Sequence, residues 1–298
     1  MNVLVIGGSG FLGSHIADEL TSNGYNVTIY DMTPSQWLQP SQKMVIGNLL
    51  DQDMLDHCMK NVQYVYHLAG IADIGEATGK PVETVKTNVL GTTIVLEAAL
   101  KAKIERLIFA STVYVYSHRG AFYRASKQAA ENYIEIFQEK FGLNYTILRY
   151  GSLYGPRAQK WNGLRKYVEQ AVKNNKIIFN GTGEERREFI HVSDAAQLSI
   201  SILDKKYINK CYTLTGTQVL TGLELSKMIR EIIGKPFSIE FSKISGSHDH
   251  YVMTPYRFTP KRAMKMVPDT FIDLGHGILE VVEEISEELY ENSSTDTR

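Results

Sequence analysis

Several features are scarce in this sequence, and each scarcity excludes a class of protein. The chain of 298 residues has two cysteines, too few for a disulfide scaffold or a four-cysteine zinc site. It contains no apolar run of about 20 residues, the length that a membrane helix requires. With 32 basic and 33 acidic side chains, its net charge of −1 gives no bulk attraction to nucleic acid or anionic membranes. We therefore expect no nucleic-acid partner, no membrane partner and no metal site.

The amino terminus also lacks the features of a secretory signal peptide. The apolar run Val3–Ile6 follows Met1 and Asn2 without any basic segment, and it leads directly into glycines. A signal peptide would place basic residues before a longer apolar run. We interpret this run as the first buried strand and expect a cytoplasmic protein.

The first two thirds of the chain alternate short apolar runs with longer helical patterns, and 43% of all residues are hydrophobic. The runs do not alternate cleanly between apolar and polar residues, which is typical of strands covered on both faces. We predict an α/β fold of the Rossmann type, with a doubly wound parallel sheet. The predicted strands are Val3–Ile6, Val27–Tyr30, Lys43–Ile46, Val62–His67, Arg106–Ala110 and Tyr145–Leu148, and the predicted helices are Ser14–Asn23, Met54–Lys60, Val82–Lys101 and Lys127–Lys140.

After Gly151 the pattern changes, because turn residues become frequent and the predicted strands become shorter. We predict that residues 1–150, together with the strand and helix near 187–203, form the Rossmann domain. Residues 151–186 and 204–290 would form a smaller α/β substrate-binding lobe, and the polar residues 291–298 a flexible tail.

A glycine-rich segment follows the first predicted strand and opens the first predicted helix. Gly7 permits a tight turn, Gly10 lets the backbone approach a pyrophosphate, and Gly13 allows close packing of helix and strand. Asp31, at the end of the next strand, can accept hydrogen bonds from the ribose hydroxyls of NAD and would repel the 2′-phosphate of NADP. The alternative is a purely structural turn with an incidental surface carboxylate. The order of strand, glycines, helix, strand and acid favours NAD binding.

Tyr123 and Lys127 lie one turn apart on a predicted helix and therefore share one face. A nearby ammonium and an oxidised nicotinamide would lower the pKa of the phenol from its usual value of about 10. Tyr123 could then take a proton from a hydroxyl whose carbon gives up hydride. Ser111 and Thr112 end a central strand, where a hydroxyl can hydrogen-bond the reacting oxygen. Each pattern alone also has an ordinary alternative, an exposed helix pair or a hydroxyl that satisfies the backbone.

In this order, the segments resemble the extended short-chain dehydrogenases/reductases of the NAD-dependent epimerase/dehydratase family, which act mostly on nucleotide sugars. The resemblance covers about residues 1–280, and within this family the chain resembles the UDP-glucose 4-epimerase-like members. The matching segments are Gly7–Gly13, Asp31, His67–Gly70, Asn88–Thr92, Ser111–Tyr116, Tyr123–Lys127, Leu148–Pro156 and Arg187–Asp194.

The resemblance implies a catalytic triad of Thr112, Tyr123 and Lys127, and an Arg187 that clamps the diphosphate of a nucleotide-diphosphate sugar. Without it, Arg187 would be predicted as a surface ion-pair residue. It implies cofactor contacts from Gly7, Gly10, Phe11, Leu12, Gly13, Asp31, Asn48, Leu49, Leu68, Ala69, Gly70, Asn88, Tyr123, Lys127, Tyr150 and Ser152, and substrate contacts from Ser111, Thr112, Ser152 and Arg187. It also implies a homodimer formed through two helices per subunit, with Ile94, Ala98, Tyr133 and Phe137 as candidate contacts.

Departures from the family pattern narrow the predicted reaction. The 4,6-dehydratases carry Asp-Glu directly after the catalytic threonine, where this chain has Val113 and Tyr114. The 3,5-epimerases carry a cysteine in that stretch, and this chain has none there. C4 epimerisation, C4 oxidation and 4-ketosugar reduction remain open. A dehydrogenase of a non-sugar alcohol and a catalytically silent NAD-binding protein are further alternatives; the setting of Arg187 argues against the first, and the retained Tyr123 and Lys127 against the second.

Two shortened features concern the substrate. Ten residues separate Thr112 from Tyr123, whereas relatives usually have a longer loop there, and this predicts an open pocket or an unusually large or rare sugar. The second phosphate-binding arginine expected near Asp249 is absent, with Gly246 and Ser247 in its place. Arg257 is a candidate replacement, and the sequence leaves the nucleotide open.

Overall fold

A computed structural model of the chain describes residues 1–242, 250–255 and 264–295. The chain divides into two compact units. The first consists of Met1–Tyr150, Ala195–Leu214 and Pro255–Met266, and the second of Gly151–Asp194, Thr215–Thr254 and Val267–Arg298. Residues 246, 247, 249 and 257, on which the expectations about a second phosphate-binding arginine depend, lie outside the described residues.

The first unit contains a sheet of eight strands, all parallel, in the order β13-β10-β6-β5-β4-β1-β2-β3. The direction of strand order reverses between β1 and β4, and ligands of such sheets bind at the carboxyl ends of the strands at this reversal. The predicted doubly wound α/β fold is therefore confirmed. Its strands are β1 (Asn2–Ile6), β2 (Asn26–Asp31), β3 (Lys43–Ile46), β4 (Tyr64–His67), β5 (Arg106–Thr112), β6 (Tyr145–Tyr150), β10 (Lys210–Leu214) and β13 (Met264–Met266).

Helices flank this sheet and supply the other half of its core. Residues on the central strands, such as Leu4, Leu107 and Ile147, are fully buried in one cluster with Leu96 and Ile134 from the helices. The helices are α1 (Phe11–Ser22), α2 (Gln52–Cys58), α3 (Ile74–Gly79), α4 (Pro81–Val85), a π-helical turn (Lys86–Leu90), α5 (Gly91–Ala102), a 3₁₀ turn (Val113–Tyr116), α6 (Ala121–Phe141), α8 (Val192–Ser201) and a 3₁₀ turn (Lys205–Tyr207). The single helix predicted over 82–101 is thus interrupted by a π turn, a feature frequent at functional sites.

The second unit has smaller sheets and its own apolar core. β9 pairs in parallel with β7 and antiparallel with β11, and β12 pairs in parallel with β8. Its core contains Val168, Ile229 and Ile278, all fully buried. The strands are β7 (Ser152–Tyr154), β8 (Lys176–Asn180), β9 (Arg186–His191), β11 (Val219–Thr221) and β12 (Ser238–Ser242), and the helices are α7 (Gly163–Asn174), α9 (Gly222–Ile233) and α10 (Leu274–Thr295).

Three details differ from the predicted domain boundaries. The strand near 187–191 was expected in the Rossmann domain, but within the described part of the chain β9 pairs with β7 and β11 of the second unit. Conversely, β10 was expected in the substrate lobe and instead extends the large sheet beside β6. The reason is that β10 buries both faces through Tyr212, Thr213 and Leu214, as a central parallel strand must. The tail from residue 291, which was predicted to be flexible, is helical as far as Thr295, where α10 ends.

Candidate active site

The turn between β1 and α1 is closely packed backbone. Gly7 has a φ of +85°, and a Cβ added there would lie 2.5 Å from the backbone nitrogen of Ala69. A Cβ on Gly13 would lie 2.1 Å from the carbonyl oxygen of Gly7, and one on Gly10 would lie 3.3 Å from the same atom. The first N–H groups of α1 point out of the helix toward this turn, and Gly10 provides no side chain to cap them, so this helix end can bind an anion.

Asp31 lies beside this turn as the last residue of β2. Its Oδ2 accepts a hydrogen bond from the backbone N–H of Ser9 at 3.0 Å, and its Oδ1 accepts one from that of Thr33 at 3.2 Å. Oδ1 also accepts a hydrogen bond from the hydroxyl of Thr33 at 3.4 Å, whereas Oδ2 retains a second lone pair that could accept a ligand hydroxyl. The glycine turn and Asp31 therefore combine an anion-binding helix end with an acceptor for a ribose hydroxyl, which fits a dinucleotide.

The remaining residues predicted around the adenosine half differ in exposure. Leu68 and Ala69 are half-buried and Gly70 is exposed in the loop after β4, and Leu12 is also half-buried. Asn48 is exposed, and its Oδ1 accepts a hydrogen bond from the backbone of Leu50 at 2.9 Å. Phe11 and Leu49 are instead buried, and Leu49 belongs to the core of the sheet. The side chains of Phe11 and Leu49 therefore contribute mainly to the packing of the protein interior.

Lys127 is buried at the carboxyl end of β5. Its ammonium donates a hydrogen bond to the carbonyl oxygen of Ala110 at 2.8 Å and lies 4.6 Å from the ring centroid of Phe109. Tyr123 is one turn earlier on α6, and its ring is 6.2 Å from that of Tyr114. Thr112 ends β5, so the three predicted catalytic residues come from β5 and the α6 helix that packs on it.

Burial lowers the pKa of Lys127 to about 8, although the carboxylate of Glu131 partly opposes this shift. Desolvation disfavours the ammonium because its charge is stabilised better by water than by the protein interior. Titratable groups with strongly perturbed pKa values are concentrated at functional sites. The shift therefore supports the assignment of this strand end as a candidate active site.

Asn88, in the π turn, connects the loop after β4 to α6. Its Nδ2 donates to the carbonyl of Ile71 and to Ser126 Oγ, both at 2.9 Å, while its Oδ1 accepts from the backbone of Ile71 at 2.8 Å. Ser126 Oγ in turn donates to the carbonyl of Tyr123 at 2.9 Å. A Cβ added to Gly70 would lie 2.7 Å from Asn88 Oδ1, so this approach requires glycine. Asn88 thus holds the loop and the helix of Tyr123 at a fixed spacing.

Three predicted contact residues in the first unit use their hydroxyls within the protein. Tyr150 is buried with its hydroxyl 2.6 Å from Ser199 Oγ, and Ser111 is buried with its hydroxyl donating to Glu131 Oε1 at 2.5 Å. Thr112 Oγ1 accepts from the backbone of Tyr114 at 3.3 Å, a bond that leaves its hydroxyl hydrogen for another acceptor. Thr112 therefore keeps a donor for a ligand.

The second unit brings Ser152 and Arg187 to one side chain that sequence reasoning missed, Tyr251. The guanidinium carbon of Arg187 lies 4.7 Å from the ring centroid of Tyr251, and Ser152 Oγ is 3.3 Å from its hydroxyl. The segment of Tyr251 is fixed on β9, because the backbone N–H of Arg186 donates to the carbonyl of Val252 at 2.7 Å. Only the spatial arrangement reveals Tyr251, which stands 64 positions after Arg187 without a local motif.

Comparison with known proteins identifies the family. The sequence pattern of the NAD-dependent epimerase/dehydratase family matches residues 3–213. This chain belongs to that family. A putative UDP-glucose 4-epimerase of Methanocaldococcus jannaschii is 30% identical over 253 residues, which are 78% of this chain and 82% of that protein. UDP-N-acetyl-alpha-D-glucosaminuronate decarboxylase of Bacillus cytotoxicus is 28% identical over 89% of this chain and 87% of its own length.

Solved structures of epimerases have the same fold. The crystal structure of UDP-glucose 4-epimerase from Thermotoga maritima with UDP-glucose matches 97% of this chain and 100% of its own, with a TM-score of 0.82 and 26% identity. UDP-glucuronic acid 4-epimerase of Bacillus cereus, in complex with UDP-glucuronic acid and NAD, matches 97% of this chain and 100% of its own, with a TM-score of 0.83 and 23% identity.

Membership makes this chain an NAD-dependent enzyme of the extended short-chain dehydrogenase/reductase type, as expected from the motifs. No helix among the described residues is long and apolar enough to cross a membrane. In the same part of the chain, no group of three or more His, Cys, Asp or Glu side chains has an arrangement that could hold a metal ion.

Proposed function

We propose that this family member is an NAD-dependent C4 epimerase or C4 dehydrogenase of a nucleotide-diphosphate sugar. The observation that carries the proposal is the buried ammonium of Lys127 at the end of β5, one turn from Tyr123. The names of the relatives, which are UDP-sugar epimerases and decarboxylases, support the substrate class. Val113 and Tyr114 replace the acid pair of the 4,6-dehydratases and favour chemistry at a single carbinol.

In the proposed mechanism, each polar side chain at the strand end has one role. NAD, when bound, supplies a hydride acceptor that can also return the hydride. The Lys127 ammonium stabilises the phenolate of Tyr123, and Tyr123 removes the proton of the sugar C4 hydroxyl as general base. The free hydroxyl hydrogen of Thr112 bonds the same sugar oxygen as charge develops on it. Asp31 and the glycine turn bind the ribose and the pyrophosphate of the cofactor.

We assign the diphosphate of the substrate to Arg187. A guanidinium can bind two phosphate oxygens at once, with a fixed planar geometry. The ring of Tyr251, 4.7 Å away, covers one face of this guanidinium and limits the orientations that it can adopt. Tyr251 and Ser152 therefore support Arg187 in the proposed diphosphate site.

We also propose a homodimer formed by the helices around the π turn and α6. Large apolar side chains are exposed there, including Val82 at 65% and Val85 at 54% on α4 and Ile136 at 49% on α6. Tyr133, a predicted contact, is also exposed, but Ala98 is fully buried in the core and cannot contribute. An exposed apolar face of this kind is typical of an interaction surface.

The test is a panel of nucleotide sugars incubated with purified protein and NAD, with the sugar product identified and nicotinamide reduction recorded. The panel contains UDP-glucose, UDP-N-acetylglucosamine, UDP-glucuronic acid and dTDP-glucose, which are nucleotide sugars in the names of similar proteins. An inverted C4 without net NADH indicates an epimerase, whereas stoichiometric NADH with a keto product indicates a dehydrogenase. Loss of CO₂ from the uronic acid would identify a decarboxylase instead.

Tyr123→Phe is the decisive variant for the proposed base. Because general base catalysis contributes about 10² to 10⁴ in rate, turnover should fall by that factor while NAD binding persists. Unchanged turnover in this variant, with a confirmed substrate, would contradict the assignment.

A further inference from the structure

A buried ion pair lies directly behind the candidate active site, on α6 and β6. Glu131 is one turn beyond Lys127, and its side chain is 2% exposed. Its Oε2 accepts from Arg149 Nη2 at 2.6 Å, and its Oε1 accepts from Arg149 Nε at 3.0 Å and from Ser111 Oγ at 2.5 Å. Arg149 is 1% exposed. The carboxylate is therefore bound on both oxygens, and its partners come from two adjacent strands.

The arginine extends the same network to further elements. Arg149 Nη1 donates to the hydroxyl of Tyr116 at 2.5 Å, and its guanidinium carbon lies 4.6 Å from the ring centroid of Tyr116. The Tyr116 hydroxyl is 3.4 Å from Thr213 Oγ1 on β10. Through Glu131, α6 is thus connected to the carboxyl ends of β5, β6 and β10 and to the 3₁₀ turn after Thr112.

The position of this ion pair in the sheet is more informative about function than its contribution to the free energy of folding. Ser111 and Arg149 are register partners, and so are Thr112 and Tyr150, the next residues of the two strands. A buried ion pair is often no more stabilising than apolar residues of equal volume, because desolvating two charges is costly. Charged hydrogen bonds do impose a defined geometry. The three hydrogen bonds to the Glu131 carboxylate fix the ends of β5 and β6 relative to α6.

We infer that Glu131 is a positioning residue, which fixes Thr112 on β5 relative to Tyr123 and Lys127 on α6 through its bonds to Ser111 and Arg149. The inference rests on the proposed function of those three residues. It gives a role to an ion pair, buried to 1% and 2% exposure, that the proposed mechanism does not otherwise use.

Electrostatics link the same carboxylate to Lys127. Glu131 raises the pKa of Lys127 against the larger effect of burial. Burial also opposes the charge of Arg149, but its hydrogen bonds with Glu131 outweigh this and raise its pKa, so the guanidinium stays charged. The titratable groups around the pair and Lys127 are Tyr123, His67 on β4, Tyr116, Tyr145 on β6 and Cys211 on β10. His67, whose pKa burial lowers to about 3, remains neutral throughout the working range.

The test compares Glu131→Gln with wild type in kcat, KM and the pH profile of kcat. The variant loses a charge-assisted bond that holds the strand end, so we expect kcat to fall by about tenfold with little change in KM or in NAD affinity. It also removes the negative charge near Lys127 and leaves Arg149 unbalanced. Both changes lower the pKa of Lys127, so the alkaline limb of the profile should move to lower pH.

Three further variants separate positioning from simple loss of stability. Glu131→Met with Arg149→Met removes both charges together and should fold well, yet still lose kcat. Ser111→Ala leaves both charges and should reduce kcat by a few-fold without moving the alkaline limb. The matched control is Glu284→Gln in the second unit, whose carboxylate accepts from Arg165 Nη1 at 3.1 Å. It should destabilise the protein without changing the pH profile or kcat.

A second readout needs no substrate. The free energy of unfolding should rise with pH above the pKa of Lys127 in the folded protein, and in Glu131→Gln this rise should begin at lower pH. If neither this rise nor the alkaline limb moves, and kcat equals that of Glu284→Gln, the inference is overturned. Failure of the proposed function is distinguishable, because it shows as absent turnover by the wild type or as unchanged turnover in Tyr123→Phe.

Discussion

The glycine turn after β1 and the carboxyl ends of β5 and β6 hold their groups in place by opposite means. At the turn, the backbone of Gly7 and Gly13 approaches its neighbours so closely that no side chain fits. At the strand ends, the fully buried charges of Lys127, Glu131 and Arg149 determine the arrangement. We therefore expect the glycine turn to lose its structure when a side-chain atom is added. The strand ends should instead lose their arrangement when one buried charge is removed.

Gly7→Ala should have the largest effect on the backbone side of this comparison. The new Cβ combines a φ of +85° with an approach of 2.5 Å to Ala69 N, so we expect a loss of roughly 3 kcal/mol in the free energy of unfolding and no measurable NAD binding. Gly142→Ala is the control, because its φ is +71° but its Cβ would meet no atom of the described residues within 4 Å. Denaturant unfolding and NAD titration should separate the two variants. Equal losses would show that the contact with Ala69 is unimportant.

Lys127→Met should have an effect of intermediate size, and it should raise the free energy of unfolding below pH 8, which is unusual for the loss of a buried polar group. Lys127 has a pKa of about 8 when folded, below its unfolded value of about 10.4, so the unfolded chain holds the proton more tightly in that range. The free energy of unfolding should therefore rise from pH 8 to about 10.4, by roughly 3 kcal/mol in total.

The methionine variant should abolish this rise and be more stable than wild type below pH 8, while turnover falls. Lys140→Met, which removes an exposed lysine from the last turn of the same helix, should keep the rise. Unfolding curves recorded between pH 6 and about 10.5 decide the matter. A rise that survives in Lys127→Met would assign it to another group.

Asp31→Asn should have the smallest effect, because it alters one side chain in a region held by backbone. The amide keeps the shape of the carboxylate but loses its charge. The affinity for NAD should therefore fall by about tenfold, and the ratio of the affinities for NAD and NADP should decrease. Stability should change little. Asp204→Asn, whose Oδ1 likewise accepts a backbone hydrogen bond (from Lys206, at 3.0 Å), should leave both affinities unchanged. Undiminished discrimination against NADP in Asp31→Asn would remove this residue from the cofactor site.

Local sequence signals account for most of what could be predicted. The apolar periodicity located β1 to β6, and the glycines with Asp31 indicated the cofactor turn, because both signals lie within a few residues of the structure they encode. The partners of β9 and β10 could not be predicted, since strand pairing depends on contacts far apart in sequence. The π turn at Asn88 escaped for a similar reason, because it depends on bonds to Ile71 and Ser126.

Buried charges were the hardest feature to predict. Glu131 occupies a position in α6 where a charged residue normally indicates a solvent-exposed face, and its partner Arg149 lies in a strand that was recognised by its apolar neighbours. Only their juxtaposition reveals a buried pair. Tyr251 escaped for the same reason, because its contact with Arg187 joins distant segments.

The order in which the sheet is assembled has a consequence for synthesis of the protein. β6 ends at Tyr150, but its neighbour β10 begins only at Lys210, after the chain has made a first excursion into the second unit. During translation the nascent sheet therefore carries an open edge of unpaired N–H and C=O groups, which is a template for aggregation. A fragment cut at residue 150 would keep that edge permanently. The cofactor half of this enzyme is thus a late product of translation, although most of its strands are among the first to leave the ribosome.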